Sequence, residues 1–340
     1  MLAGCGGGGG APGDGQTGDA TGPTADANLH GTSAVTIIVE PDGMDAQQVV
    51  TAINAATTSV DMTMYELSDT GIIDALVARA RAGVHVQAVL DGSTTNKSFN
   101  TSAFDKLMAA GASPVWSNPT FTFTHEKTII IDGTSAWIMT MNATISAPTS
   151  NREYLALDTD PADVAEATAI FTADHAQQSI APSGGLVVAN SNARSSLAGL
   201  INTATTTLDV EGEEFSDLAQ NGIVQAVQNA ANRGVTVHVV IANDSPDATS
   251  VQRVKMAGAK VVVTGPTSGN GTMTNPYIHA KAVLVDCSGT SCARGFVGSE
   301  NFSTGSLSFN RELGVIIDNP TELAKVKTAI DKDFAAGTAQ

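Results

Sequence analysis

Apolar residues along this chain fall into two alternating rhythms. Short runs rich in Val, Ile and Leu fit buried strands: Val35-Thr36-Ile37-Ile38-Val39, Val84-His85-Val86-Gln87-Ala88-Val89-Leu90 and Val235-Thr236-Val237-His238-Val239-Val240-Ile241. Between such runs the apolar positions recur at helical spacing, as Val49, Val50, Ile53 and Ala56 do, with Asp45 placed to cap that first helix. Gly83 and Gly234 stand where helices should hand over to strands, in the left-handed conformation that glycine takes at helix ends. Strand and helix alternate, which predicts an α/β fold whose sheets are mixed, mostly parallel, and flanked by helices. Residues 1–33 show neither rhythm. They are Gly, Thr, Ala, Asp and Pro with almost nothing to bury, the composition of a flexible Gly-rich tether.

The pattern occurs twice. Ile53-Asn54-Ala55-Ala56-Thr57-Thr58-Ser59-Val60-Asp61 matches Ile201-Asn202-Thr203-Ala204-Thr205-Thr206-Thr207-Leu208-Asp209, 148 residues later. Glu66-Leu67-Ser68-Asp69 then answers Glu214-Phe215-Ser216-Asp217, and Met108-Ala109-Ala110-Gly111-Ala112 answers Lys255-Met256-Ala257-Gly258-Ala259. The chain is an internal duplication. Residues 34–181 form one half and 182–340 the other, with the seam in the turn-rich Ala181-Pro182-Ser183-Gly184-Gly185 and a closing helix over about Thr321 to Phe334. A pseudo-twofold arrangement with the site at the interface is expected.

Composition narrows the partners. The formal charge is −17, from 34 acidic and 17 basic residues, and Lys and Arg never cluster. That argues against a broad electrostatic grip on nucleic acid or on an anionic membrane. No apolar run is long enough to span a bilayer. Leu2-Ala3-Gly4-Cys5 has the form of a bacterial lipobox with Cys5 as the lipidated residue, which points to an exported protein, anchored in the cell envelope or secreted. Cys287 and Cys292 bracket a turn and are placed to close a hairpin disulfide.

The chemistry concentrates in one repeated stretch. His125-Glu126-Lys127 opens a run of isoleucines ending in Asp132-Gly133, and His279-Ala280-Lys281 opens another ending in Asp286. Strand alternation puts each His with its Lys on one face and gives each Asp the opposite parity. Asp132 and Asp286 therefore read as structural, and the two His–Lys pairs as the reacting groups. Downstream, Met139-Thr140-Met141-Asn142 precedes Glu153, and Gly298-Ser299-Glu300-Asn301 precedes Glu312, with the same Asn-to-Glu spacing of eleven residues.

His-x-Lys-x4-Asp followed by Gly-Ser-x-Asn resembles the phospholipase D superfamily, in both halves and from about residue 35 to 335. The first half departs from it at Met139, where the family has Gly, while Thr140 keeps the hydroxyl and Asn142 the amide. The resemblance implies a phosphodiesterase that works through a phosphohistidine. One neutral imidazole attacks phosphorus, and the other, protonated, donates to the leaving alcohol. Lys127, Lys281, Asn142, Asn301, Thr140 and Ser299 are expected to grip the phosphoryl oxygens, the work a metal ion does elsewhere; no cofactor or metal is implied. By analogy His125 is the nucleophile and His279 the general acid and base, although the near-symmetry leaves the reverse assignment open. Glu153 and Glu312 are candidates to orient the imidazoles, from their own half or the opposite one, against the plainer reading of surface ion pairs with Arg152 and Arg311.

The remaining histidines, His30, His85, His175 and His238, have no counterpart in the repeat and read as surface or core residues. Phe121, Phe123 and Tyr277 either line the substrate mouth or pack beneath it. The loops over residues 113–120 and 265–275 are where substrate choice should reside. The expected substrate is a glycerophospholipid at a membrane surface, handled by a monomer with no stable nucleic-acid partner. A nuclease of the same superfamily, or a non-catalytic surface lipoprotein that uses the fold for binding, are the alternatives.

Overall fold

The computed structural model describes residues 29–42, 44, 46–244 and 246–340. Cys5, Asp45 and nearly all of the expected tether lie outside the described residues. The first half runs β1 (Val35–Glu40), α1 (Gln47–Ala55), β2 (Ser59–Met64), α2 (Thr70–Arg81), β3 (His85–Leu90), α3 (Lys97–Ala109), β4 (Ser113–Trp116), β5 (Lys127–Ile131), β6 (Ser135–Met139), α4 (Ala147–Ser150), β7 (Asn151–Asp158) and α5 (Pro161–His175). The second runs β8 (Val187–Val188), α6 (Ala193–Thr203), β9 (Thr207–Gly212), α7 (Ile223–Asn232), β10 (Thr236–Ala242), α8 (Ala248–Met256), β11 (Lys260–Thr264), β12 (Tyr277–Ile278), β13 (Lys281–Val285), β14 (Arg294–Gly298), α9 (Thr304–Phe309), β15 (Leu313–Ile317), α10 (Pro320–Ala336) and β16 (Thr338–Ala339). Among the described residues no helix is long and apolar enough to cross a membrane.

Each half supplies one sheet. The first has the order β1-β7-β6-β5-β2-β3-β4, with β12 from the second half added beside β7; the second has the order β16-β11-β10-β9-β13-β14-β15-β8. The sheets are mixed, as expected, but not mostly parallel. Within each half only the strands joined by crossover helices, β2-β3-β4 and β9-β10-β11, pair parallel. The motif strands β5 and β13 run antiparallel to both neighbours. The cause is connectivity: each enters from a loop rather than a crossover helix and leaves through a hairpin.

Three apolar cores follow. Helices α1, α2 and α3 cover the outer face of the first sheet, and α6, α7 and α8 that of the second. A shared central core takes residues from both sheets together with α5 and α10, so the inner faces are buried against the opposite half. Two equivalent ion pairs cross this core. Arg152 on β7 reaches Asp333 on α10 (Nε–Oδ2 2.5 Å), and Arg311 before β15 reaches Asp174 on α5 (Nε–Oδ2 3.0 Å). All four residues are buried. His30, expected in the free tether, lies 4.0 Å from Asp163.

The motif aspartates anchor the far end of the motif strands. Asp132 (φ 53°) and Gly133 (φ 62°) both take the left-handed conformation, which a tight hairpin between right-twisted strands requires. The Asp132 carboxylate accepts hydrogen bonds from the backbone N–H groups of Thr57 (3.0 Å), Thr58 (2.7 Å) and Ser59 (2.9 Å), in the turn between α1 and β2. Asp286 (φ 53°) does the same for Thr205 (2.8 Å), Thr206 (2.7 Å) and Thr207 (3.3 Å). Burial opposes these charges, yet the donated N–H and threonine hydroxyl groups together hold both carboxyls down at about 2. Cys287 and Cys292 form a disulfide across the longer second hairpin.

Replacing Asp132 or Asp286 by Ala removes the acceptor of three backbone N–H donors at a chain turn. Each change is expected to cost about 1–2 kcal/mol, and the two to add. Urea unfolding of the single and double variants checks this; an unchanged midpoint would show that the turns do not need the carboxylate.

Candidate active site

The residues before each motif strand cross to the other half. Thr124 bridges Arg311, and the His125 N–H donates to the Arg311 carbonyl (2.8 Å). Reciprocally, β12 pairs parallel with the start of β7, and the His279 N–H donates to the Arg152 carbonyl (3.3 Å). The expected unbroken strand through each His is therefore corrected. β5 and β13 begin at the lysines, and the histidines sit two residues earlier, where the chain passes between the halves. Asp132 and Asp286 are removed from the histidines by strand length as well as by parity, since five strand residues span roughly 17 Å.

This crossing puts each imidazole on a carboxylate of the opposite half. His125 Nδ1 donates to Glu312 Oε2 (2.8 Å), and His279 Nδ1 meets Glu153 Oε1 (2.8 Å) and Oε2 (3.0 Å). Both glutamates are fully buried. Burial opposes their charge, yet the imidazole and the nearby lysine hold each carboxyl below its ordinary range. Arg152 and Arg311 point instead to the cross-half pairs with Asp333 and Asp174, so the surface ion pairs weighed for the glutamates do not form.

Lys127 and Lys281 are fully buried, and each ammonium donates to the carbonyl of its own His. Burial first, and Lys281 second, push Lys127 down to about 7. Burial and the Lys127 charge push His125 down to about 4, so it is neutral at ordinary pH.

Asn142 and Asn301 line the cavity between the halves, and each amide oxygen is buried without a hydrogen-bond partner among the described residues. Thr140 and Ser299, expected at the phosphate, require a correction: both are fully buried behind the cavity wall. The Thr140 hydroxyl donates to Glu153 Oε2 (2.5 Å) and accepts from the Tyr154 N–H (2.9 Å). The Ser299 hydroxyl accepts from the Leu313 N–H (3.1 Å). Their geometry fits positioning the carboxylates and strands rather than touching substrate. The departure at Met139 also has a local explanation. A side chain at Gly298 would strike the buried Glu300 carboxylate, whereas the residue at the Glu300 position of the first half is Met141.

The cavity holds about 550 Å³ and both histidines open into it. Phe123 and Tyr277 line it, whereas Phe121 lies beneath Arg311, 4.6 Å from the guanidinium. From the loop over residues 265–275, Ser268 and Gly269 contribute to the lining; the loop over 113–120 does not reach it. His238 contacts Asp209 and Phe334, and His175 donates to or accepts from groups on β3 and β4, both remote from the cavity.

The sequence reading missed one prominent residue. Glu213 lines the cavity, with Oε2 2.9 Å from Lys281 Nζ, 3.2 Å from Asn301 Nδ2 and 3.5 Å from His279 Nε2. Its counterpart 148 residues earlier is Tyr65, whose ring packs edge-on against His125 at 4.6 Å and lies 5.0 Å from Lys127 Nζ. The two halves thus differ at the residue that touches both His and Lys. The signal was present in the repeat alignment, one position before Glu66 and Glu214.

Comparison with known proteins bears on the fold and the family. A family model described as cardiolipin synthase, PLD-like domain, matches residues 49–175 and 197–335. No curated protein matches the chain at a significant level. Among solved structures the chain resembles polyphosphate kinase from Porphyromonas gingivalis, with 16% identity and a TM-score of 0.67 over 87% of this chain and 46% of that one. The chain therefore spans about half the length of that kinase. It also resembles phosphatidylserine synthase from Haemophilus influenzae Rd KW20, with 10% identity and a TM-score of 0.64 over 93% of this chain and 90% of that one.

If Glu312 fixes the tautomer of His125, Glu312→Gln leaves the cross-strand contacts in place and removes the acceptor charge. Turnover is then expected to fall about 10²–10⁴-fold, with the thermal midpoint nearly unchanged. Steady-state kinetics beside a melting curve separates this from unfolding.

Proposed function

The chain belongs to the phospholipase D superfamily, and from that premise we propose that it is a phosphodiesterase that cleaves glycerophospholipids through a phosphohistidine on His125. The observation that carries the reading is the facing pair of imidazoles, each with its Nδ1 committed to a buried glutamate, so that each Nε2 is left for chemistry in one cavity. The Nε2 lone pair of neutral His125 forms a bond to phosphorus as the bond to the leaving alcohol breaks. The leaving oxygen takes the proton from His279 Nε2. In the second step water gives a proton to His279, its oxygen bonds to phosphorus, and the bond between phosphorus and His125 breaks. An alcohol in place of water gives transfer instead of hydrolysis.

The surroundings support this division of labour. His279 has a carboxylate at each nitrogen, and both can be satisfied only when both nitrogens carry protons. His125 has an aromatic ring where His279 has Glu213, which suits a neutral nucleophile. Lys127, Lys281, Asn142 and Asn301 are the groups that would meet the phosphoryl oxygens.

A lipid is favoured over a nucleic acid by the mouth. Glu66, Glu213 and Glu214 line the cavity, and among the described residues no Arg side chain does. That rim disfavours a polyanion. Exposed apolar side chains stand on the segments that supply the lining: Phe309 in the lining itself, Ile145 between Thr144 and Ser146, and Met273 in the loop after Gly269. They suit contact with a lipid surface. Anchoring through Cys5 would hold the enzyme near such a surface and belongs to the same proposal.

Phosphatidylcholine vesicles and single-stranded DNA, each with EDTA present, are the discriminating substrates. Release of the head group from the vesicles alone is expected; cleavage of the DNA alone would replace the lipid reading with the nuclease. His125→Ala should lower turnover by at least about 10⁴-fold, and acid quenching of the wild type should trap phosphohistidine that this variant lacks. Turnover retained by the variant would refute the mechanism. The pH profile has a defined sign. His125 must be neutral to attack, so kcat/KM is lost as pH falls through about 4. Lys127 must be charged to stabilise the transferring group, so kcat/KM is also lost as pH rises through about 7.

A further inference from the structure

We propose that Glu213 occupies the phosphate seat of the second half in the substrate-free protein and competes with the phosphodiester for Lys281, Asn301 and His279. The proposal rests on the reading above, in which those three groups receive the phosphoryl oxygens or the leaving oxygen. One carboxylate oxygen of Glu213 is within 3.5 Å of all three: Lys281 Nζ at 2.9 Å, Asn301 Nδ2 at 3.2 Å and His279 Nε2 at 3.5 Å. The other oxygen accepts from the Tyr277 hydroxyl at 2.9 Å. A carboxylate carries one negative charge over two oxygens on a single atom, which makes it the side chain most like the free edge of a phosphodiester. Two such anions cannot share one lysine and one amide without strong repulsion.

The internal repeat supplies an independent comparison. The first half reaches the same backbone position with Tyr65, whose ring contacts His125 and Lys127 without neutralising either. There the amide of Asn142 lies 3.4 Å from Glu66, and among the described residues no carboxylate lies within ion-pair distance of Lys127. One half thus presents its lysine to an incoming anion, and the other has its lysine already engaged. The Glu213 side chain is 20% exposed at the cavity wall, whereas the orienting Glu153 is fully buried. Glu213 can therefore swing towards solvent, and Glu153 cannot. Until a substrate displaces it, Glu213 holds Lys281 and Asn301 in place and keeps the pair charge-matched. Small free anions, inorganic phosphate among them, must compete with it to stay bound.

Isothermal titration calorimetry with inorganic phosphate tests this on wild type, Glu213→Gln and Glu213→Tyr, the last of which copies the first half. Both variants are expected to bind phosphate at least about tenfold more tightly than wild type. With phosphatidylcholine vesicles the KM of each should fall, and kcat should fall as well, because Glu213 also stands at His279 Nε2. A residue with only a structural role would not raise anion affinity. Equal or weaker phosphate binding by both variants would overturn the inference while leaving the phosphodiesterase reading in place. Failure of all three proteins to bind phosphate would overturn both.

Discussion

A carboxylate cut off from water is tolerated only where hydrogen-bond donors or positive charge meet it. Glu153 accepts from Thr140 and Asn151, and Glu312 from Ser306 and Asn310, all in their own halves, but the imidazole that each one holds comes from the opposite half. Each buried carboxylate therefore completes its set of donors with an imidazole that the other half supplies, and each imidazole is fixed by a carboxylate that its own half does not supply. The exchange therefore ties the integrity of the core to the geometry of the site. The neighbouring arginines extend the same logic by one residue. Arg152 and Glu153 point to opposite sides of β7, one to α10 and one to His279, and Arg311 and Glu312 repeat this towards α5 and His125. Four polar contacts, related by the duplication, close the interface around its apolar centre.

The buried lysines set a second constraint. Around the cavity floor stand Lys127 and Lys281 against Glu153, Glu312 and Glu213, two positive charges against three negative when both imidazoles are neutral. Such a cluster accepts an anion only if a proton is taken up or a carboxylate moves away. The proposed phosphate seat is compatible with so acidic a chain because charge balance is local, and the surplus acids elsewhere on the surface do not enter it beyond a screening length.

Much of this was legible in the sequence because duplication makes spacing informative. The His–Lys pairs, the structural aspartates and the two glutamates recur at fixed offsets, and a repeated offset is evidence that one occurrence cannot supply. What escaped has physical causes. Thr140 and Ser299 have the residue type of phosphate ligands, but only the packed strands place their hydroxyls behind the wall. The largely antiparallel pairing depends on how loops enter β5 and β13, which periodicity does not encode. Glu213 was overlooked because repeats are read for agreement, and this position is where the halves disagree.

That disagreement bears on the chemistry more than the agreement does. Two identical halves would offer two identical imidazoles, yet displacement at phosphorus needs one that attacks and one that donates a proton. The backbone, the lysines, the asparagines and the orienting glutamates are all shared and cannot choose between them. Tyr65 and Glu213 differ in charge, touch the histidine of their own half, and stand at the same point of the repeat. An aromatic face beside His125 leaves an imidazole with no anion to draw a proton to its reacting nitrogen. A carboxylate beside His279 draws one there. In the mechanism proposed above, this one difference within a duplicated frame is what separates nucleophile from acid. The lysines, asparagines and orienting glutamates could stay alike in both halves while this one contact with the histidines differs.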